Sequence, residues 1–331
     1  MKSFRFCSAL IFTLVCGLQA ARAEEAKPFD GGWGLIIPGG AAGWLRVESE
    51  GGQVDAQMLW GWGSVFKLDG ASLEGDKLVL KRKHEVNEKG VKTTVTETIT
   101  VTRDGDSLQL VSVTPKAKGG GEDRAEFTGK RLPPMPPAPD LSQIKFGDPI
   151  PLFNGTSLDG WHVVEADAVN GWSAHDGILS NTQKQEEGKP HKKWGNLRTD
   201  AEFEDFTLHA EPRLPKEGNS GIYIRGIYEV QVEDSYGKPL DPHNMGAIYS
   251  RIKPTVAAEK PAGEWQTVDI TFVDRHATVV LNGIKIIDNQ PVLGPTGGAL
   301  WPWVDRPGPI YLQGDHTGIE YRNIVLRKRI Q

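Results

Sequence analysis

The chain has 331 residues, of which 38% are hydrophobic and 24% charged, a composition typical of a globular protein long enough for two domains. Glycine (39 residues), proline (22) and tryptophan (10) are abundant, which favours turn-rich β structure over helices. The net charge of −5 disfavours nucleic acid and anionic membranes as partners.

The first 23 residues have the pattern of a secretory signal peptide. Two basic residues precede an apolar run over residues 6–18, and Ala21-Arg22-Ala23 is an A-x-A site that predicts cleavage before Glu24. The run is shorter than the ~20 residues that span a bilayer. A membrane anchor or a lipidated Cys16 is the alternative interpretation.

Cleavage would remove both cysteines, Cys7 and Cys16, and three of the 38 basic residues. The remaining chain would carry 35 basic against 43 acidic residues, and no disulfide or thiolate-bound metal. The sequence therefore predicts a periplasmic or secreted protein that does not associate with a membrane after cleavage.

Residues 28–130 consist of short strand-like runs separated by glycine-containing turns. In "TVTETITV" (94–101), one face is threonine and the other is apolar except for Glu97. About eight such strands predict a small antiparallel, barrel-like β domain. A filled core is favoured over a lipocalin-like ligand pocket, since no polar cluster within the pattern marks a ligand.

Five prolines between residues 131 and 143 predict a stiff extended linker. Residues 144–331 are again rich in strands, without a convincing amphipathic helix, and predict two packed sheets in a jelly-roll sandwich. Within this domain, Asn282-Gly283 in "VVLNGIKIID" predicts a tight hairpin turn.

Two strands of this domain, "SGIYIR" and "YEVQVED", alternate apolar and polar residues. Keeping their apolar faces together predicts that Arg225 lies opposite Glu229 and Tyr223 opposite Gln231, across a three-residue loop at 226–228. The shared polar face would then carry five side chains, those of Tyr223, Arg225, Glu229, Gln231 and Glu233. It is either the floor of a sugar-binding cleft or a salt-bridged outer face; the preceding strand adds His209, Glu211 and Arg213.

A conventional glycosidase needs two carboxyl groups ~5–9.5 Å apart. Glu229 and Glu233 are four residues apart on one strand, a separation of roughly 13 Å at ~3.3 Å per residue. The spacing therefore disfavours an endoglucanase-type dyad within this strand.

Several segments of the second domain resemble the 3-keto-disaccharide hydrolase family. In chain order they are "LFNGTSLDGW" (152–161), "GNSGIYIRGIYEVQVEDSYG" (218–237), "MGAIYS" (245–250), "PAGEWQTVDITF" (261–272), "LNG" (281–283) and "GPIYLQGDHTGIEYRNIVLR" (308–327). The resemblance covers about residues 150–329 and implies a concanavalin-A-like lectin sandwich.

The resemblance also implies the substrate, a glycoside already oxidised to a ketone at C3 by a separate, upstream sugar 3-dehydrogenase. Such a ketone acidifies the C2 proton, so that a base can remove it and the C1 oxygen can leave before water adds. One base and one oxyanion stabiliser suffice for this reaction, which agrees with the missing carboxylate pair.

On this basis we expect His316 and Glu229 to be the proton-transfer residues, with His316 the first candidate because imidazole titrates near neutrality. Arg225 is a candidate for binding hydroxyls or polarising the C3 carbonyl. The other expected substrate-binding residues are Tyr223, Gln231, Gln313, Asp315, Glu211 and Trp303.

No cofactor is evident from the sequence. It has neither a zinc-type histidine cluster nor a calcium-loop signature, which leaves open a divalent metal bound by scattered oxygens. The alternative to an exported enzyme is a non-catalytic, lectin-like carbohydrate-binding protein, since this type of sandwich often serves only to bind.

Overall fold

The computed structural model describes residues 27–330 except 89, 117–119, 184–187, 189 and 191. The predicted signal peptide, with Cys7 and Cys16, lies outside the described residues. Within them the protein is all-β, as the sequence predicts, and its one helix is the 3-10 turn Lys27–Phe29. None of the described residues belongs to a helix with the length and apolar character needed to cross a membrane.

The described residues form two compact units. The first comprises the residues up to Trp60 together with Val65–Pro134. The second comprises residues from Met135 onward and also the four-residue segment Gly61–Ser64.

The first unit is an antiparallel sheet with strand order β4-β3-β2-β1-β9-β8-β7-β6-β5. Its strands are β1 (Gly31–Ile36), β2 (Ala42–Glu50), β3 (Gln53–Leu59), β4 (Phe66–Lys67), β5 (Gly70–Glu74), β6 (Lys77–Glu88), β7 (Val91–Asp104), β8 (Ser107–Pro115) and β9 (Glu122–Arg131). Strand β5 also lies against β3, so the sheet curls into a barrel-like shape. Inward-facing residues such as Leu35, Leu80 and Ile99 are fully buried and form its core.

The inner face of this sheet changes from apolar to polar along β6 and β7. Glu97, the one interruption of the apolar pattern, is 3% exposed and lies opposite Arg82 in the register. The Arg82 guanidinium is 3.4 Å from the Glu97 carboxylate and lies over the ring of Trp60. Ser112 is buried on the same face. Alternation marks Glu97 as an interruption of the apolar face, but alternation along single strands does not reveal that Arg82 and Ser112 lie beside it.

We expect Glu97→Ala to lower the free energy of unfolding by about 3–5 kcal/mol, because it leaves the largely buried Arg82 without its counter-ion. Chemical denaturation of the full chain measures the change. Glu85→Ala is the matched control: Glu85 on the same strand as Arg82 pairs with Lys92 at 3.3 Å, but both side chains are exposed, so a loss of about 0–1 kcal/mol is expected. Equal effects of the two substitutions would contradict a structural role for the buried pair.

The second unit contains two antiparallel sheets. The larger has the order β12-β13-β22-β15-β18-β19-β20, with β10 paired to β22, and the smaller has the order β11-β14-β21-β16-β17. The strands are β10 (Ile150–Pro151), β11 (Trp161–Val163), β12 (Trp172–His175), β13 (Ile178–Asn181), β14 (Leu197–Thr199), β15 (Phe206–Arg213), β16 (Asn219–Ile224), β17 (Tyr228–Glu233), β18 (Val268–Val273), β19 (His276–Leu281), β20 (Ile284–Pro291), β21 (Tyr311–Leu312) and β22 (Ile319–Lys328).

The two sheets of this unit pack face to face. The Ser220 hydroxyl on β16 lies 3.0 Å from the Tyr321 hydroxyl on β22. The ring centroids of Tyr228 on β17 and Phe272 on β18 are 5.1 Å apart. Since these contacts join buried residues of opposite sheets, the second unit is the β-sandwich that the strand pattern predicts.

The predicted β19–β20 hairpin is confirmed. Leu281 pairs with Ile284, and the two residues between them, Asn282 and Gly283, have φ values of 51° and 82°. Both positions are left-handed, as a type I′ turn requires, and these two residue types adopt that conformation at low cost.

The β16–β17 hairpin forms as predicted, but its predicted register is wrong. Tyr223 pairs with Glu229 and Ile224 with Tyr228, so that Arg225 lies in the turn rather than opposite Glu229. Arg225 has a φ of 55° and begins the loop 225–227, which has three residues as predicted but starts one residue earlier. The register is displaced by two residues, which leaves the side-chain faces unchanged because strand alternation has a period of two.

Candidate active site

The outward face of the β16–β17 hairpin forms the floor of a cavity. Ile222 and Val230 face the larger sheet, so Tyr223 and Glu229, their neighbours in the alternation, face away from it. The cavity has a volume of about 190 Å³. Its lining consists of Trp62, Gly63, Asn219, Tyr223, Glu229, Gln231, Tyr249, Gly297, Gly298, Gln313 and His316.

Glu229 is the buried acid of the cavity, only 3% exposed. Burial raises the pKa of its carboxyl group to about 8, and the nearby negative charge of Asp315 adds to that rise. A hydrogen bond from Tyr223 opposes the rise but does not cancel it. At neutral pH Glu229 is therefore mostly protonated and can donate a proton.

The contacts of Tyr223 are consistent with this protonation state. Its hydroxyl oxygen lies 2.7 Å from the Gly297 carbonyl oxygen and 3.0 Å from Oε2 of Glu229. A phenol has one proton, and a carbonyl oxygen can only accept. When the Tyr223 hydroxyl donates to the Gly297 carbonyl, the proton between Tyr223 and Glu229 must belong to the Glu229 carboxyl group. When Glu229 ionises, the Tyr223 hydroxyl can turn and donate to the carboxylate instead.

Space for the Glu229 carboxyl group depends on a glycine in the facing strand. A Cβ atom added to Gly221 would lie 2.4 Å from Oε1 of Glu229, closer than any real contact. The glycine in "NSG" therefore allows the carboxyl group to lie flat against β16 beneath the cavity.

His316 brings a second titratable group to the cavity. Its Nδ1 lies 2.6 Å from Oδ1 of Asp315, and this hydrogen bond raises the pKa of the imidazole. With Nδ1–H donating to Asp315, the neutral ring presents Nε2 as its basic nitrogen. The side chain is about half exposed, unlike Glu229, so the cavity holds one buried acid and one accessible imidazole.

Two amide side chains of the lining have buried oxygens without a partner among the described residues. They are Oδ1 of Asn219 and Oε1 of Gln313. A buried acceptor without a donor is costly, on the order of 1–3 kcal/mol. A hydroxyl group in the cavity would reach these two oxygens only if the amide groups turned towards it.

A neighbouring loop covers the edge of β17 and completes the wall. The Gln231 N–H donates to the Ala247 carbonyl (2.9 Å), and the Tyr249 N–H donates to the Glu229 carbonyl (3.0 Å). These backbone bonds hold Tyr249 at the cavity. They also fix the backbone of both Glu229 and Gln231, which limits the movement of the two side chains.

Five of the sequence-predicted site residues lie together in this cavity: Tyr223, Glu229, Gln231, Gln313 and His316. Asp315 is not part of the lining, but its carboxylate contacts the His316 ring. The grouping follows from alternation on β16 and β17 and from the pairing of β21 beside β16.

Arg225 is not among the lining residues, contrary to the expectation that it binds or polarises the substrate. From the hairpin turn its guanidinium donates to the carbonyl oxygens of Val304 (2.9 Å) and Arg306. The side chain is 3% exposed. The corrected register explains this, since a residue in the turn does not share the direction of the strand side chains.

Glu211 and Trp303 also lie away from the cavity. Glu211 is on β15 in the other sheet, where its carboxylate accepts hydrogen bonds from Arg322 (2.6 Å) and Asn323 (2.8 Å). Trp303 belongs to the loop that Arg225 holds through the neighbouring Val304 carbonyl. Neither position could be located from the pattern of its own segment.

Several lining residues are not among those predicted from the sequence. Asn219 could have been found, because it continues the alternation of Gly221 and Tyr223 on β16. Tyr249, Trp62 and Gly297-Gly298 come from loops without periodicity, so no local signal marks them. Among the described residues there is no group of three or more His, Cys, Asp or Glu side chains that could hold a metal ion.

Comparison with protein families gives a match over residues 148–327 to the model described as a 3-keto-alpha-glucoside-1,2-lyase-like domain. This range contains Glu229 and His316 but not Trp62. None of the curated proteins compared matches the chain.

Solved structures give three examples of similarity. A candidate glycosyl hydrolase from Parabacteroides distasonis ATCC 8503 is 32% identical, covering 60% of this chain and 94% of its own, with a TM-score of 0.45. Another from the same organism is 25% identical, covering 55% and 100%, with a TM-score of 0.41. The carbohydrate-binding module CBM66 from Bacillus subtilis is 13% identical, covering 53% and 98%, with a TM-score of 0.32.

Proposed function

Because this chain belongs to the family of 3-keto-alpha-glucoside-1,2-lyase-like domains, we propose that it cleaves 3-keto-glycosides by elimination followed by hydration. It is a carbohydrate-active protein of the glycoside hydrolase type.

The proposed reaction uses the ketone at C3. A base removes the proton at C2, and the electron pair of that C–H bond forms an enolate with the C3 carbonyl. The enolate then expels the C1 oxygen, which takes a proton, leaving a C1–C2 double bond. Addition of water, with hydroxide at C1 and a proton at C2, restores the 3-keto sugar and completes a net hydrolysis.

The two titratable groups of the cavity suit the two proton transfers. His316 is the proposed base, because Asp315 would stabilise the imidazolium formed when Nε2 accepts the C2 proton. Glu229 is the proposed acid, because burial keeps it protonated at neutral pH, when the departing C1 oxygen needs a proton. Environments that favour different protonation states in two neighbouring groups are characteristic of acid–base sites.

Amide groups are the proposed partners of the sugar oxygens. The amide oxygen of Gln231 accepts a hydrogen bond from the Val232 N–H at 3.0 Å, so the NH₂ group of the same side chain remains available as a donor. We propose that this NH₂ group, instead of Arg225, donates to the C3 oxygen of the substrate. The amide groups of Asn219 and Gln313, once turned towards the cavity, are the proposed acceptors of hydrogen bonds from sugar hydroxyl groups.

One observation supports this proposal above the others: within the described lining, Glu229 is the one carboxylate, and it shares the cavity with His316. A two-carboxylate mechanism lacks its second group there. Glu233, the other carboxylate of β17, instead pairs with Lys238 at 2.8 Å.

Incubation of the protein with an oxidised disaccharide in deuterated water tests the proposal. We expect free sugar to be released with one deuterium at C2 of the 3-keto product, because that position loses its proton and regains one from solvent. Mass spectrometry and NMR locate the label. An incubation without protein corrects for spontaneous exchange beside the ketone.

Other outcomes would contradict the proposal. Cleavage without deuterium at C2, or equal cleavage of unoxidised disaccharides, would indicate ordinary glycoside hydrolysis. Binding of the oxidised disaccharide without turnover would favour the lectin-like alternative, a protein that only binds carbohydrate.

Two features of the wider setting are part of the proposal. A periplasmic or secreted location follows from the predicted signal peptide, and fractionation of cells producing the full chain would test it. The substrate also requires an oxidoreductase that converts the C3 hydroxyl group of a glycoside to a ketone before this protein acts.

A further inference from the structure

The segment Gly61–Ser64 contributes to the cavity although it lies far from the family domain in sequence. It joins β3 to β4, yet its residues belong to the second unit. Trp62 and Gly63 are part of the cavity lining. Trp62 is 66% exposed, although tryptophan side chains are highly buried on average.

Three contacts hold this segment in place, two at its ends and one at Gly63. The Gly298 N–H donates to the Gly61 carbonyl oxygen at 3.0 Å. The Ser64 hydroxyl lies 2.7 Å from Nε2 of His243, whose Nδ1 is 2.5 Å from Asp241. The segment is therefore held at both ends, on either side of Trp62.

The third contact depends on the absence of a side chain at residue 297. A Cβ atom added to Gly297 would lie 2.3 Å from the Gly63 carbonyl oxygen. The backbone of Gly63 can approach this closely only because residue 297 is glycine. The same residue supplies the carbonyl oxygen that contacts Tyr223, so one short backbone stretch supports both Trp62 and the Tyr223–Glu229 pair.

Trp62 lies on the same side of the cavity as that pair. A Cβ atom added to Gly298 would be 2.7 Å from the Tyr223 hydroxyl oxygen and 3.5 Å from Cζ3 of Trp62. The indole is therefore close to the group that holds Glu229. A leaving group protonated by Glu229 would depart beside this ring.

The volume of the cavity limits what can be enclosed. At about 190 Å³ it is smaller than the ~300–1,000 Å³ of pockets for drug-sized ligands and suits a single sugar ring. The second ring of a disaccharide must then lie outside it. We propose that the exposed face of Trp62 forms the subsite for the leaving-group ring; this inference rests on the function proposed above.

Turnover of two substrates tests the role of Trp62. They are the 3-keto derivatives of a disaccharide and of a methyl glucoside, which lacks a second ring. We expect Trp62→Ala to reduce kcat/KM for the disaccharide derivative about tenfold, the size of one stacking contact of roughly 1.4 kcal/mol. For the methyl glycoside derivative, kcat/KM should change less than about twofold, because this substrate has no second ring to stack on Trp62. Trp62→Phe keeps an aromatic face and should retain most of the activity.

Tyr236→Ala is the matched control, since Tyr236 is also an exposed aromatic residue (57%) and is not part of the cavity lining. It should leave both substrates unaffected. Equal losses on both substrates with Trp62→Ala, or no loss on either, would overturn the proposed subsite.

Ser64→Ala tests the attachment of the segment and should cause a smaller loss confined to the disaccharide derivative. Complete loss on both substrates, with Trp62→Ala still active, would mean that Ser64 takes part in the chemistry and would overturn its anchoring role.

If the wild-type protein turns over neither substrate, the proposed function fails, but Trp62 can still be tested by binding. Calorimetry with the oxidised disaccharide should then show about tenfold weaker binding for Trp62→Ala than for the wild type. Unchanged binding would overturn the subsite independently of catalysis.

Discussion

Glu229→Gln should reduce the turnover of an alkyl 3-keto-glycoside by about 10²–10⁴-fold, the usual contribution of a positioned acid. Glutamine has nearly the same shape but cannot donate a proton to the departing oxygen. The loss should be much smaller for a nitrophenyl 3-keto-glycoside, because that leaving group needs no protonation. Steady-state kinetics with both substrates measures the difference.

The pH dependence should change in the same variant. For the wild type, kcat/KM should fall as the pH rises through about 8, because Glu229 then loses its proton. Glu229→Gln should lack this alkaline decline. Glu204→Gln, which changes an exposed glutamate of the same unit, is the control and should keep wild-type values. An alkaline decline that persists in Glu229→Gln would assign the titration to another group.

Stability provides a separate measurement of the same carboxyl group. Its pKa is raised in the folded state, so the folded protein binds the proton more tightly than the unfolded chain does. The free energy of unfolding of the wild type should therefore fall relative to that of Glu229→Gln as the pH rises from the ordinary glutamate pKa to about 8. Above about pH 8 the difference between the two proteins should stay constant. Thermal unfolding at a series of pH values shows whether the two curves diverge in this direction.

His316→Ala should abolish turnover of both the alkyl and the nitrophenyl substrates, because removal of the C2 proton precedes departure of either leaving group. The melting temperature should change little, since the side chain is about half exposed. The raised pKa of the imidazole also predicts that wild-type activity declines as the pH falls through that pKa, where His316 becomes protonated and cannot accept the C2 proton. Kinetics and thermal unfolding of the same preparation test these outcomes together.

His162 is a close match for His316 and serves as its control. Its Nδ1 lies 2.5 Å from Oδ1 of Asp200, both side chains are exposed, and it is not part of the cavity lining. His162→Ala should retain full activity. Retained activity in His316→Ala would remove this residue from the mechanism, and deuterium exchange at C2 without cleavage in that variant would reassign the base.

The hairpin of β16 and β17 shows which structural features strand alternation can predict and which it cannot. Alternation predicts that Tyr223, Glu229 and Gln231 share one polar face, and they do. It does not determine which residues oppose each other, since a displacement of two residues preserves every face. That displacement separates Arg225 from Glu229 and moves the guanidinium from the expected site to the loop at 304–306.

The sequence by itself determined the all-β class, the face on which the polar residues of the hairpin lie, and its family, because these depend on local periodicity and ordered motifs. Only the tertiary structure decided the protonation of Glu229, because its raised pKa comes from burial beneath loops distant in sequence. The same holds for the buried Glu97 beside Arg82 and for Trp62 at the cavity. These features arise from contacts between segments that are distant in the chain, and the sequence pattern of one segment does not indicate which other segment it contacts.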